Sequence, residues 1–443
     1  MGELDVSQLM TVAQAMAAID AAPVAPRVTR LSLTQATGRR LARDVVADRD
    51  FPPFAKSTMD GFAVRAADVA KTPAELQVVA RIAAGQAMDG TLEPGQAAAI
   101  MTGAPLPAGA DGVVPVEETE EREGIVRVLK ANGVTRFVAQ KGSDCPKGKL
   151  VLPKGTVLGP AQVAVAASVG AADLEVFELP RVAVLGTGDE LVPFDAEPGP
   201  AQIRNCNNPM LVALLTRLGC TVHDMGTAPD NPDFIRARVL EALTGDYDAL
   251  FVTGGMSMGE HDYVPKILQE VGVEFRVTKL RIKPGKPFVF GVKKGSGLGV
   301  QGSGGEAAAP SSLNPEPRTL NPPLNPFYVF GLPGNPVSGF VCTVRLASRL
   351  LDRMGGGPVN ERWLTGRLMV GLPANGPREF YIPTVRTVQP ARISAQAVLP
   401  AIRPLDWKGS ADVFTLASAN SLLVRAANEP PLPDGTLVRV LDI

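Results

Sequence analysis

The chain has 443 residues, 45% of them hydrophobic, which is enough to fill roughly three domains. Its 44 Lys and Arg against 45 Asp and Glu leave a net charge of -1, so no global field gathers nucleic acid or an anionic membrane, and any anion site has to be local. Four scattered cysteines (Cys145, Cys206, Cys220, Cys342) without a C-x-x-C pair, and only His223 and His261, argue against zinc, iron–sulfur and disulfide frameworks; a metal here would take oxygen ligands.

In chain order, Leu9, Val12, Met16 and Ile19 predict an amphipathic helix over residues 6–19 with Ser7 as N-cap. The opening residues lack a basic and then apolar leader, and Val6 stands where myristoylation wants Ser or Thr. The longest apolar stretch, 163–172, is too short to span a bilayer, so a cytoplasmic location is expected. Residues 51–145 are rich in Gly, Pro and short β-type runs such as 76–82 and 125–129, which predicts a β-rich domain. Residues 1–50 and 146–178 are expected to form a helical and extended linker domain around it. A helix opened by Gly159 and Pro160, with Val163, Val165 and Val169 packed, closes that half at Gly170.

From Arg181 strands alternate with helices: strands at 181–185, 221–224 and 249–253, and helices opened by Asn208-Pro209 and Asn231-Pro232. That rhythm over 179–357 predicts a parallel, doubly wound sheet with helices on both faces and ligands at the carboxyl ends of its strands. Residues 295–326, dominated by Gly, Ser, Pro, Asn and Ala, predict a disordered insertion. The sheet resumes at 327–330, and Asn335-Pro336 opens a helix carrying Val337, Phe340, Val341, Val344 and Leu351. In 358–443, runs at 384–388, 395–399 and 436–441 predict a small C-terminal β domain.

Four loops after the apolar strands carry the chemistry. The richest runs Thr253-Gly254-Gly255-Met256-Ser257-Met258-Gly259-Glu260-His261-Asp262. Its glycines let backbone N–H groups approach an anion, and its acids would repel a phosphate unless a divalent cation such as Mg²⁺ bridges them. The same residues also fit a tight strand-to-helix connection with a solvated acidic tip. Gly186-Thr187-Gly188-Asp189-Glu190 resembles the start of a dinucleotide fingerprint, but Leu191 replaces the third glycine and two acids intrude, which argues against a nicotinamide cofactor. Pro229-Asp230-Asn231-Pro232 reads as a helix cap whose Asp230 could also reach a metal. Lys279, Lys283 and Lys286 form a cation cluster suited to a compact tetrahedral oxyanion. The turn at Gly334-Asn335-Pro336 adds a helix N-terminus, with simple capping as the alternative. P-loop, nucleophile-elbow and H-E-x-x-H patterns are missing from the sequence.

Six ordered motifs give the chain a family resemblance: Ser57-Thr58-Met59-Asp60-Gly61-Phe62-Ala63, Met101-Thr102-Gly103-Ala104-Pro105-Leu106-Pro107, Gly186-Thr187-Gly188-Asp189-Glu190-Leu191, Thr253-Gly254-Gly255-Met256-Ser257-Met258-Gly259, Lys283-Pro284-Gly285-Lys286-Pro287, and Gly331-Leu332-Pro333-Gly334-Asn335-Pro336-Val337-Ser338. Together they resemble the molybdopterin molybdotransferases, the molybdenum insertases related to the gephyrin E domain, over the whole chain except the insertion. The resemblance implies Mg²⁺-dependent insertion of molybdate into adenylyl-molybdopterin with release of AMP, in a homodimer whose site is shared between subunits. It assigns Glu190, Asp230 and Asp262 to the metal and phosphate. Lys279 and Lys283 join them as catalytic residues. Gly254, Gly255, Ser257, Lys286, Pro287, Gly334, Asn335 and Ser338 would hold the anion and pterin. Arg378 and Ser410 match positions used for molybdate, and Asp60, Thr102 and Asp144 would reach in from the β-rich domain of the partner. Cys206 stands where a serine is usual, and Ser143 replaces a usual acid before Asp144. A molybdopterin adenylyltransferase and a gephyrin-like scaffold that binds a partner peptide are the other classes the sequence admits.

Overall fold

A computed structural model describes residues 9–256, 262–294, 326–387 and 399–443. Contacts divide the chain into two compact units, one of residues 1–30 and 175–443, the other of residues 31–174.

The first unit is organised by a six-stranded sheet in the order Thr221–Ala228, Arg181–Thr187, Ala249–Thr253, Phe327–Leu332, Val289–Lys293, Glu274–Thr278. The first four strands run parallel, as the strand–helix rhythm predicts. The last two extend the edge antiparallel, because Lys293 and Phe327 are cross-strand partners and the chain turns back on itself there. The double winding is visible in single strands. Val182 and Val184 face a core built with Leu211, Leu215, Val337 and Val341, whereas Ala183 and Leu185 face one built with Ile235, Val239, Val264 and Leu268. Alternate residues of one strand thus bury against helices on opposite faces.

The helices follow their caps. Pro232–Thr244 starts at Asn231, whose side chain accepts from the N–H of Asp233 and Phe234 at 2.9 and 3.4 Å. The helix expected to start at Asn208-Pro209 runs Asn207–Arg217 and ends before Gly219 at φ +83°. Asn335 precedes Pro336–Cys342, which continues through a π-helical turn, Thr343–Ala347, into Ser348–Met354.

The first helix corrects two expectations. It spans Val12–Asp20, and Thr11 caps it in a reciprocal box with Gln14; residues 1–8, Ser7 among them, lie outside the described residues. It also does not belong with a linker domain. Val12, Ala15 and Ile19 are buried in the core of the α/β sheet, so its apolar stripe draws residues 1–30 into the first unit.

The C-terminal β domain is a closed barrel. Glu379–Thr387 pairs with Ala401–Pro404, then Trp363–Leu368, Leu437–Asp442 and Ser421–Arg425 follow in order, and the last strand returns to Glu379–Thr387. Of the runs read from sequence, 384–387 and 437–441 fall on two of these strands, while 388 and 395–398 lie outside the described residues, as does 295–325 of the insertion. Ile282–Lys283 adds to the barrel in parallel, pairing with Glu379 and Phe380, so the loop bearing the lysines is stitched to the barrel.

The second unit, taken by itself, holds a six-stranded sheet that includes the two strands read from sequence, at Ala74–Ile82 and Ile125–Val128. Its helix Pro160–Ser168 starts after Gly159 and ends before Gly170 at φ +73°.

Candidate active site

The carboxyl ends of the parallel strands open into a cavity of about 640 Å³. Thr187 and Glu190 enter from the end of the Arg181–Thr187 strand, Thr253 and Gly254 from the end of Ala249–Thr253, and Gly334, Asn335 and Ser338 from the end of Phe327–Leu332. The opposite wall is supplied by Lys283, Lys286 and Pro287 of the stitched loop and by Arg378 and Ser410 of the barrel. Among the described residues, four cations, Arg204, Lys283, Lys286 and Arg378, therefore line the cavity against one carboxylate, Glu190. In a chain of net charge -1, this is a local concentration of positive charge.

Each wall is held in place by contacts of its own. The Lys283 ammonium lies 4.3 Å from the centre of the Phe380 ring, and Phe380 packs on Trp407 at 5.9 Å, which fixes a flexible side chain against two aromatics. The Arg378 turn is tied by Asn375, whose amide donates to the Arg378 carbonyl at 2.9 Å. Gly254 adopts φ +93°, and a Cβ there would lie 2.2 Å from the Thr187 carbonyl oxygen, so only glycine lets the two loops meet. Asn207 binds these loops together by donating to Thr253 Oγ1 at 3.1 Å and to the Gly334 carbonyl at 2.6 Å.

Beside the cavity lies a group of acids. Asp230 does not cap its helix; Asn231 does, leaving the Asp230 carboxylate available. The Asp230 N–H donates to Asp189 Oδ1 at 2.9 Å, which ties the loops after two neighbouring strands. Burial pushes the Asp230 carboxyl above its ordinary value, and the charges of Asp189, Glu190 and Asp262 add to the rise. Glu190 folds back over Gly188, where a Cβ would come within 2.5 Å of its carboxylate. Among the described residues, no three His, Cys, Asp or Glu converge as a metal cage.

Lys279 is a correction to the three-lysine cluster. The Leu280 N–H bonds the Lys286 carbonyl at 2.8 Å and closes a loop whose tip carries Lys283 and Lys286, leaving Lys279 outside its neck at φ +90° and off the cavity wall. Asp230, Asp262 and Gly255 likewise do not line the cavity. Gly255 adopts φ +57°, and a Cβ there would lie 3.0 Å from Thr187 Oγ1; Ser257 lies outside the described residues. The helix start at Gly334-Asn335-Pro336 is also less open than expected. The Val337 N–H donates to the Ser410 carbonyl at 3.1 Å and the Asn335 amide to Ser410 Oγ at 2.8 Å, so the turn serves to dock the barrel.

In the second unit, Asp60 and Thr102 meet. The Asp60 carboxylate accepts from the Thr102 N–H at 2.7 Å and its O–H at 2.8 Å, and both bonds hold it below its ordinary value. Asp144, exposed in the same unit, accepts from Ser143 Oγ at 3.2 Å.

Sequence reasoning did not single out Asn207, Arg204, Asn375 and Trp407. Arg204 and Asn207 stand beside Cys206 in a segment already flagged, whereas Asn375 and Trp407 lie in loops without a motif.

Comparison with known proteins accords with this arrangement. Residues 10–170 match the family described as "MoeA N-terminal region (domain I and II)", and residues 183–353 match "Probable molybdopterin binding domain". A molybdopterin molybdenumtransferase of Nostoc sp. is 34% identical over 360 residues, covering 80% of this chain and 76% of the relative. One from Synechococcus elongatus is 37% identical over 273 residues, covering 60% and 67%. The crystal structure of a molybdopterin biosynthesis moea protein from Pyrococcus horikosii superposes with a TM-score of 0.78 at 28% identity, covering 98% of this chain and 99% of that one. The fold is that of a protein of molybdenum cofactor biosynthesis. The chain belongs to the molybdopterin molybdenumtransferase family, whose members are transferases.

Proposed function

We propose that the protein transfers molybdenum to molybdopterin by taking molybdate into the four-cation cavity and inserting it into the dithiolene of adenylyl-molybdopterin, with Mg²⁺-dependent release of AMP. The observation that carries this reading is the concentration of Lys283, Lys286, Arg204 and Arg378 in one cavity beside crowded carboxylates, in an otherwise neutral chain. Molybdate is a tetrahedral dianion, and ammonium groups on a fixed wall suit it as point charges. Ser338 and Ser410 add hydroxyls to the same lining.

The acids fit Mg²⁺ through their chemistry. That ion keeps several waters and binds through one or two carboxylates together with substrate phosphate, so it needs no protein cage. Burial raises Asp230 most, and the like charges of Asp189, Glu190 and Asp262 that add to the rise are what a divalent cation would relieve. Glu190, Asp230 and Asp262 would hold it, and when bound it would neutralise charge on the adenylyl phosphate. The chain's own part is to hold the oxyanion with the lysines, to fix both loops through Asn207, and to exclude water by docking the barrel on the helix start.

The exposed Asp60–Thr102 pair supports a homodimer in which each β-rich domain completes the partner's site. The expected location is the cytoplasm; among the described residues no helix is long and apolar enough to cross a membrane. The test is a single-turnover assay with adenylyl-molybdopterin. AMP release that requires both molybdate and Mg²⁺ is the expected result, and release from bare molybdopterin with ATP consumption would favour an adenylyltransferase instead.

A further inference from the structure

Next to the cation cavity is a second one of about 380 Å³, and the two share Leu191 and Asn205 in their walls. Their linings are opposite. Among the described residues, no Lys, Arg or His lines the second cavity; its polar wall consists of the Asp189 and Asp224 carboxylates, Thr227 and the paired asparagines 205 and 208.

Asn208 decides what this cavity lacks. It is 2% exposed, and its amide donates to Asp224 Oδ1 at 2.6 Å and to the Gly226 carbonyl at 3.0 Å. A carbonyl can only accept, so these bonds fix which end of the amide is nitrogen, and Oδ1 is left buried without a partner. An orphaned buried acceptor is costly unless a donor meets it. Phe194, 66% exposed, adds a phenyl ring to the lining.

We propose that this second cavity is the subsite for an amino-bearing flat heterocycle of the substrate, taken as a donor of N–H bonds and stacked on Phe194, while the anionic part lies in the cation cavity. The assignment rests on the proposed function, whose substrate carries two such rings, a pterin and an adenine. The Asp189 and Asp224 carboxylates, together with the unpartnered Asn208 Oδ1, match an exocyclic amine, and in a pterin also the ring N–H beside it. Phosphate and molybdate are disfavoured there by Asp189 and Asp224. One elongated ligand can thus be read by charge at one end and by hydrogen-bond polarity at the other.

The test uses titrations of the intact protein with pterin, its 2-deamino counterpart lumazine, adenosine and molybdate. Asp224→Asn keeps an oxygen for Asn208 and Gly226, and Phe194→Ala changes an exposed side chain, so both variants should fold. Each is expected to weaken pterin or adenosine by about tenfold while molybdate binding stays within about twofold. Lys286→Ala should do the reverse. Wild type should prefer pterin to lumazine, and Asp224→Asn should erase that preference if the pterin is the occupant; loss of adenosine alone would make adenine the occupant. Heterocycle binding unchanged in both cavity variants, but lost in Lys286→Ala, would overturn the proposal. These titrations need no turnover, so they stay readable if AMP release fails, and their failure would leave the insertion reaction standing.

Discussion

Asp60 and Asp230 are both acids in loops at strand ends, yet their surroundings push them in opposite directions. Asp60 receives an N–H and an O–H from Thr102 and is held ionised. Asp230 is partly buried among Asp189, Glu190 and Asp262 and is made reluctant to ionise. The first carboxylate is satisfied by protein donors; the second is partly buried beside like charges, the setting for which Mg²⁺ is proposed. Folding stability should follow the same split. Asp60 contributes stability above the ordinary carboxylate pKa, lost as pH falls through its lowered value. Asp230 contributes stability below the ordinary pKa, lost as pH rises through its raised one.

The most severe way to break the contrast is Asp230→Asn. AMP release should fall about 10²- to 10³-fold, a loss typical of removing a preorganised electrostatic partner. The unfolding temperature at neutral pH should not fall, because a repelled charge has gone, and Mg²⁺ should no longer raise it. A marked drop in thermal stability would mean that Asp230 is structural. Lys286→Ala comes next: molybdate should be bound about tenfold to a hundredfold more weakly with an unchanged melting curve, the loss expected for one charged contact.

Thr102→Val sharpens the Asp60 side by removing the O–H donor and keeping the N–H. Asp60 should titrate higher, still below an ordinary carboxylate, as read by NMR, and turnover should drop by about tenfold. An unmoved titration would show that the hydroxyl does not matter. The smallest effect is expected from Ser410→Ala, which removes the bond from Asn335 at 2.8 Å and should cost about 0.5–1.5 kcal/mol in chemical denaturation.

What the sequence made legible was whatever depends on local chemistry. Asn231-Pro232 and Gly159-Pro160 announce helix starts because their roles are played within one turn, and the 249–253 strand is bounded as its apolar run suggests. Glu190, Gly254, Lys283 and Lys286, singled out in the sequence, line one cavity, and each closes a strand or a tight turn. Lys279 was misplaced because only a long-range bond from Leu280 to Lys286 reveals where the loop's neck lies. The antiparallel edge and the barrel strands at Trp363–Leu368 and Ser421–Arg425 depend on pairing partners distant in sequence, which periodicity cannot name. Trp407 and Asn375 belong to the same class, since their worth lies in what the barrel brings beside them.

Lys293 and Phe327, cross-strand partners at the outer end of one antiparallel pair, bracket the 33 positions 294–326. The endpoints stay adjacent whatever length of chain joins them, and closure cost grows only logarithmically with that length. This hairpin end is therefore a natural splice point: shortening the stretch to a tight turn, or grafting a reporter or affinity handle there, leaves every strand register intact.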